Sequence, residues 1–341
     1  MSREGLPLAL GAALLSWLLT GAALRFAVRK SLMDIPGRRS SHTRPTPRGG
    51  GLAIDFTTLS GFLVLGWTGQ LAWTIIWGLL GAGALVSLIG FADDLGEIGV
   101  GWRLVAHFVA AAWLLAWLGG LPPLPVLGVV RDLGWFGNVL AALYLAWLIN
   151  LTNFMDGIDG IASVEVITVC LGGVVAGRVV APATSQWAPA AVLASATLGF
   201  LGWNWPPAKI FMGDAGSGFV GLMLGALSLQ AGLEAPMLFW AWVILLGVFV
   251  VDATATLTIR VTRGQKVYQA HRSHAYQHAA RRWGSHRSVT VAVGLINLCW
   301  LLPLALLVAS RVLSESAGLL IAYAPLVAIA LLLRAGNPAE A

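Results

Sequence analysis

The chain has 341 residues, 58% of them hydrophobic and only 11% charged, with a formal net charge of +6. Ordinary globular domains carry about 25% charged residues, so this composition, with a mean hydropathy of +0.81, excludes an ordinary soluble domain and indicates an integral membrane protein. The pI near 9.9 does not point to nucleic acid, because the basic residues flank apolar runs and are not interleaved with exposed aromatics; anionic lipid headgroups and phosphorylated ligands suit that distribution.

Apolar runs of roughly 17 to 25 residues, enough for a tilted helix to cross the hydrocarbon, recur along the whole chain. In order, spans are predicted at 6–27, 51–68, 72–91, 103–120, 135–152, 161–179, 187–203, 216–233, 237–259, 289–310 and 316–333. This predicts an all-α polytopic membrane protein of about 10–11 transmembrane helices, forming one domain over 1–341. No alternating ten-residue strand pattern occurs, which argues against an outer-membrane barrel. The first run is long, lacks a polar cleavage region and is followed by "RFAVRK", so it reads as a retained span and not a secretory signal. Cys170 and Cys299 lie in apolar runs far apart, as small hydrophobes rather than a disulfide or a metal site.

Alternating the sides places loops 28–50, 92–102, 153–160, 204–215 and 260–288 together, and with the adjoining span ends they hold 17 of the 21 Lys and Arg. The other side has only Arg3, Arg131, Arg178 and Arg311. That asymmetry predicts that the first side is cytoplasmic. It also receives Asp93, Asp94, Asp156, Asp159, Asp214, His271, Arg272 and His274. An ionised Asp at a helix centre costs roughly 3 kcal/mol on insertion scales, so these residues belong at the interface. One such residue would be a solvated helix end; four loops delivering them to one face predict a site.

Asp93 and Asp94 stand in "IGFADDLGEIGVGWRL". Adjacent carboxylates repel, so a site keeping both ionised supplies a cation or accepts a proton, and Arg103 can place a cation beside them. In "NLTNFMDGIDGIA", Asn150 and Asn153 are one helical turn apart and share a face. Asp156-Gly157 signals a turn, and the glycines let backbone approach a ligand. Amide oxygens and carboxylates are hard ligands suited to Mg²⁺, which binds through one or two protein groups plus phosphates. "NWPPAKIFMGDAGSG" sets Asp214 just before a Gly-rich helix start that can cradle an anion, with Phe211 offering an aromatic face. His271, His274 and His278 in "YQAHRSHAYQHAARRWGSHR" have a spacing open to Zn²⁺, but the loop is Arg-rich and has no Cys, which favours phosphate oxygens. The first loop, "DIPGRRSSHTRPTPRGGG", adds Arg38, Arg39, Arg44 and Arg48. A polyanion is the expected ligand.

"FADDLGEIGVGWRL", "NLTNFMDGIDGIA", "NWPPAKIFMGD" and "HRSHAYQ", in this order, resemble the polyprenyl-phosphate N-acetylhexosamine-1-phosphate transferases, the superfamily of the phospho-MurNAc-pentapeptide translocase. The resemblance covers residues 34–278. It implies a membrane enzyme moving a sugar-1-phosphate from a UDP-N-acetylhexosamine to a polyprenyl (undecaprenyl) phosphate with Mg²⁺, or alternatively Mn²⁺, and releasing UMP. It implies Asn153 and Asp214 as metal ligands and Asp93, Asp94 and Asp156 as catalytic carboxylates, the first two facing the lipid phosphate. Asn204, Asp159 and Phe211 match nucleoside-contacting positions, while Arg48, Arg103, His271, Arg272 and His274 match or adjoin substrate positions. Glu97 lies near a motif but matches no catalytic position.

The last loop reads "AHRSHAYQH", without the adjacent histidines of the peptidoglycan branch. This implies an enzyme initiating O-antigen or a related surface polysaccharide, acting on GlcNAc or a 6-deoxy relative such as N-acetylfucosamine or N-acetylquinovosamine. The expected location is the bacterial inner membrane with a cytoplasmic site, membrane lipids are expected partners and nucleic acid is not, and a homodimer is left open. Two other classes compete. Asp55, Glu165 and Asp252 fall within spans, as in a secondary transporter, but no repeated halves occur. "DGIDG" suggests a CDP-alcohol phosphotransferase, yet the "IAS" that follows and the lack of further Asp on that helix depart from that pattern.

Overall fold

A computed structural model describes residues 5–37, 41–42, 44–96, 98–182, 187–266 and 271–337; Arg38, Arg39 and Glu97 lie outside the described residues. The chain opens with α1 (Gly5–Arg29), followed by an antiparallel bridge of β1 (Met33–Asp34) and β2 (Thr46–Pro47) that pairs Met33 with Pro47. Then come α2 (Leu52–Trp67), α3 (Trp73–Leu95), α4 (Val100–Leu118) and a hairpin of β3 (Leu124–Val126) and β4 (Val129–Arg131). The central helices are α5 (Gly134–Met155), α6 (Ile161–Val180), α7 (Ala188–Asn204) and α8 (Gly213–Glu234). The C-terminal third holds α9 (Pro236–Leu245), α10 (Gly247–Thr262), α11 (Ala275–Trp283), α12 (His286–Ile296), a π turn at Asn297–Leu301, α13 (Leu302–Ala309) and α14 (Glu315–Leu332).

All eleven predicted spans fall on helices, but they are not equal. Among the described residues, eight helices are long and apolar enough to cross a membrane alone, the α12–α13 segment counting as one. α2 and α7 have 16 and 17 residues, roughly 24–26 Å at 1.5 Å per residue and so short of a hydrocarbon core of about 30 Å. The span expected at 237–259 is broken: α9 and α10 meet at an angle of 65°. Leu246 and Gly247 form the break, a place where helices kink.

α8 is the axis of the bundle, with 89% of its apolar window buried. It packs on α3, α5, α2 and α9, and small residues let those backbones come close. A Cβ on Gly221 would lie 2.5 Å from the Leu148 carbonyl of α5. Nearer the start of the helix, a Cβ on Gly216 would lie 2.5 Å from Gly51 Cα, and the Gly51 amide donates to the Met212 carbonyl at 2.8 Å. With Gly90 of α3, whose Cβ would lie 2.6 Å from the Asp214 carbonyl, these approaches gather the ends of α3 and α5 and the starts of α2 and α8 at one end of the bundle.

Several buried polar side chains inside the helices bond to one another, which offsets the cost of low dielectric. Ser87 donates to Asp55 at 2.5 Å. Asn297, on the π turn, donates to Glu165 and to Thr168, both at 2.7 Å. Asp252 accepts from the Ala275 and Tyr276 amides at 2.9 Å each, anchoring the start of α11. Forcing a methyl group between α2 and α8 should be costly. Gly216→Ala is expected to destabilise the protein by about 1–3 kcal/mol, the usual range for overpacking, read as a lower detergent melting temperature, whereas Gly11→Ala, which meets nothing within 4 Å, should leave it unchanged.

Candidate active site

The N-terminus of α8 is buried, so its first amides need acceptors. Asp94, at the end of α3, supplies them: its carboxylate accepts from the amides of Asp214 at 3.1 Å and Ala215 at 3.2 Å. Gly213 makes this possible, since its φ is +80° and a Cβ there would sit 2.6 Å from an Asp94 oxygen. Asp93 points elsewhere, accepting from the Ile98 amide at 2.7 Å and pairing with the Arg103 guanidinium. Arg103, on α4, also reaches Asp214 at 3.2 Å. One cation thus spans two carboxylates.

Asn153, in the last turn of α5, donates to Asp214 at 2.8 Å and to Ser217 at 3.0 Å. Its neighbour Asn150 instead donates to the Ala146 carbonyl at 2.7 Å and contacts His107 at 3.2 Å. Beyond the helix, Asp156 faces a cavity of about 270 Å³, and among the described residues its carboxylate has no hydrogen-bond partner. Enclosure, followed by the charges of Asp214, Asp159 and Asp94, holds the Asp156 carboxyl well above the usual carboxylate range. Asp159 differs. Burial pushes it up, but His286 and the Ala208 amide, at 3.1 Å, hold it below its ordinary value. Asn204 ties the same wall together, accepting from the Gly160 amide and donating to the Ile210 carbonyl, both at 3.0 Å. His42 packs edge-on against Phe211 with ring centroids 4.9 Å apart.

The cavity is lined by Arg48, Asp94, Asn153, Asp156, Asp159, Asn204, Phe211 and Asp214 from the sequence-derived set. Asp93 and Arg103 stand behind that wall. His271, Arg272 and His274 are not among the lining residues: His274 is 2% exposed and lies 3.3 Å from Asp252, while His271 bonds Ser273 at 2.9 Å and stacks on His274. Sequence reasoning missed Asp34, Ser41, His42, Ser217, Gln277 and His286, all of which line the cavity. A polar residue in each quoted loop was the only available signal, and it does not distinguish a lining side chain from one turned away.

Among the described residues, no three His, Cys, Asp or Glu side chains converge as a preformed metal cage. The Asp214, Asn153 and Asp156 donors are nevertheless hard and oxygen-bearing, and the crowded carboxylates leave Asp156 unpartnered. Such a set fits Mg²⁺, which keeps several waters and relies on a ligand's phosphates, and not Zn²⁺, which takes four tight N or S ligands.

The fold and this acidic cavity at a bundle end define a polytopic membrane enzyme. Residues 76–232 match the model of glycosyl transferase family 4. The decaprenyl-phosphate N-acetylglucosaminephosphotransferase of Mycolicibacterium smegmatis is 30% identical over 323 residues, covering 86% of this chain and 79% of that protein. A probable undecaprenyl-phosphate N-acetylglucosaminyl 1-phosphate transferase of Bacillus subtilis is 29% identical over 290 residues, covering 82% and 78%. The phospho-N-acetylmuramoyl-pentapeptide-transferase of Moorella thermoacetica is 33% identical over 186 residues, covering 50% and 56%. The chain belongs to glycosyl transferase family 4 and is an enzyme of the glycosyl-1-phosphate transferase type.

His271 provides a stability test. Burial first, then the charges of His274 and Arg260, push its pKa from 6.5 down to about 4. A group with a depressed folded-state pKa contributes stability above its unfolded value and loses it as pH falls. The melting temperature should therefore drop between about pH 6.5 and about pH 4, and His271→Gln should flatten that part of the curve.

Proposed function

We propose that this enzyme transfers an N-acetylhexosamine-1-phosphate from a UDP-sugar to a polyprenyl phosphate and releases UMP, at the cytoplasmic face of a bacterial inner membrane. The observation that carries this reading is the cavity itself, where carboxylates and an amide from α3, α5 and α8 meet Arg48 and an aromatic pair at the end of membrane helices. Relatives named for undecaprenyl- or decaprenyl-phosphate GlcNAc-1-phosphate transfer match over 82–86% of the chain, whereas the MurNAc-pentapeptide transferase of Moorella thermoacetica matches over 50%. Among the sugars considered, this supports GlcNAc. The loop "AHRSHAYQH" supports a surface-polysaccharide role, such as initiation of O-antigen, over peptidoglycan.

A phosphate monoester has a second pKa of about 6, so the lipid phosphate is largely dianionic at neutral pH and needs little help from a base. Direct in-line attack on the sugar-linked phosphorus follows, with protein groups positioning and stabilising charge. Arg48 faces the phosphates from the cavity wall, while Arg103 offsets the charge of Asp93 and Asp214. Asp94 uses both oxygens on the α8 amides, which fixes the helix start and leaves it poorly placed as a proton acceptor. Asp156 faces the cavity unpartnered and is the group that can take a residual proton from the acceptor. Asp159 and Phe211 hold the nucleoside, and Asn204 braces the wall behind them. Asp214 and Asn153 would hold Mg²⁺, which would neutralise phosphate charge when bound.

Asp214→Asn removes a charge while keeping shape. It should lower kcat by more than about 100-fold, as loss of an electrostatic group in a preorganised site does, and weaken the Mg²⁺ dependence without loss of folded protein; full activity with an unchanged Mg²⁺ titration would remove Asp214 from the metal shell. Orientation is tested separately. Single cysteines at Ser41 and Ser285 should be shielded from an impermeant thiol reagent in intact cells, and one at Val130, 61% exposed on β4, should react; labelling at Ser285 from outside would reverse the topology.

A further inference from the structure

The histidines that the last loop displays most conspicuously do not reach the cavity. His274 is pinned to Asp252, His271 is stacked on His274, and His278 lies 3.3 Å from the Asn337 carbonyl. The loop is instead fastened in place. Tyr276 donates to the Phe154 carbonyl at 3.0 Å, and a Cβ on Gly157 would meet the Tyr276 hydroxyl at 2.1 Å, so the turn carrying Asp156 and the start of α11 are packed together.

What this fastening delivers is His286, the first residue of α12. It lines the inner cavity and also a second, outer cavity of about 650 Å³, whose wall includes Arg44, Pro206 and Arg287. Asp159, His42 and Phe211 are shared by both as well. His286 Nδ1 lies 3.4 Å from Asp159 Oδ1 and 3.4 Å from the Asp159 backbone nitrogen, so either tautomer bonds to Asp159. Thr290, one turn further along α12, donates to the Asp159 carbonyl at 2.9 Å, and the Ala208 amide takes the other carboxylate oxygen. Asp159 is thus fixed from two sequence-remote segments, and His286 is the contact that itself borders both cavities. An ionised carboxylate only accepts hydrogen bonds, so the held Asp159 offers an acceptor to an N–H or O–H of a ligand.

We propose that His286 is a positioning residue for the donor nucleotide, holding the Asp159 carboxylate at the boundary of the two cavities and forming part of that boundary. This rests on the UDP-sugar reading above. The donor's charged phosphates belong to the inner cavity with Arg48 and the carboxylates, and its nucleoside belongs at the boundary, where an acceptor, an imidazole and the His42–Phe211 pair meet. The lipid acceptor needs none of these groups.

The test is a steady-state comparison in detergent with UDP-GlcNAc, polyprenyl phosphate and Mg²⁺, using full-length wild type, His286→Ala, His286→Asn, Asp159→Asn and the double variant of His286→Ala with Asp159→Asn. Loss of a hydrogen bond to a charged group should raise the UDP-GlcNAc KM of His286→Ala about tenfold, weaken inhibition by UMP by the same factor, and leave the acceptor KM and the melting temperature unchanged. His286→Asn retains an amide that can donate or accept near Nδ1 and should recover most of the affinity. Asp159→Asn should show the same selective rise, with little further loss in the double variant. An unchanged donor KM in His286→Ala, an equal rise for donor and acceptor, or no recovery in His286→Asn overturns the assignment while the wild-type reaction stands. Wild type that shows neither turnover of UDP-sugars nor inhibition by UMP sinks the donor reading itself, and this inference with it.

Discussion

A buried helix N-terminus needs acceptors, and here a carboxylate supplies them. Asp94 closes the start of α8 across a gap that only Gly213 and its neighbours leave open, and that contact fixes α3 against α8. The helix macrodipole adds to the attraction by favouring negative charge at this end. Once α8 is seated, the glycine contact between Gly51 and Gly216 sets α2, and the Gly221 contact with Leu148 sets α5. The acidic cavity is the space left where those ends meet.

The arrangement concentrates negative charge with few compensating cations. Arg103 bridges Asp93 and Asp214 and His286 contacts Asp159, whereas the charges that act on Asp156, among the described residues, are those of Asp214, Asp159 and Asp94. Such a site is electrostatically frustrated without an additional cation, and frustration of this kind concentrates at functional sites. Asp156 therefore draws interest from its surroundings as much as from its motif.

The C-terminal third uses its polar residues to hold shape. Asp252 lies within an apolar run and invites a transport reading from sequence, yet in three dimensions it accepts two amides at the start of α11 and contacts His274. Glu165 is likewise engaged by Asn297 at the π turn. These contacts fasten the last loop and so carry residues 277 and 286 to the cavity, which His271 and His274 do not line.

Local sequence specifies the membrane character, the helical spans and the loops that carry polar chemistry, because hydropathy and charge are sums over local residues. It also determined the set of residue types at the site, since "NLTNFMDGIDGIA" and "IFMGD" have few local uses in so apolar a chain. Tertiary structure alone decided which of these side chains face the cavity. Asp93 and Asp94 are adjacent in sequence, but a helix turns them about 100° apart, so one pairs with Arg103 and the other caps α8. His286 could not be told from its neighbours, because its partner Asp159 lies 127 residues away and only the packing of α12 against the turn at residues 157–160 brings the two together.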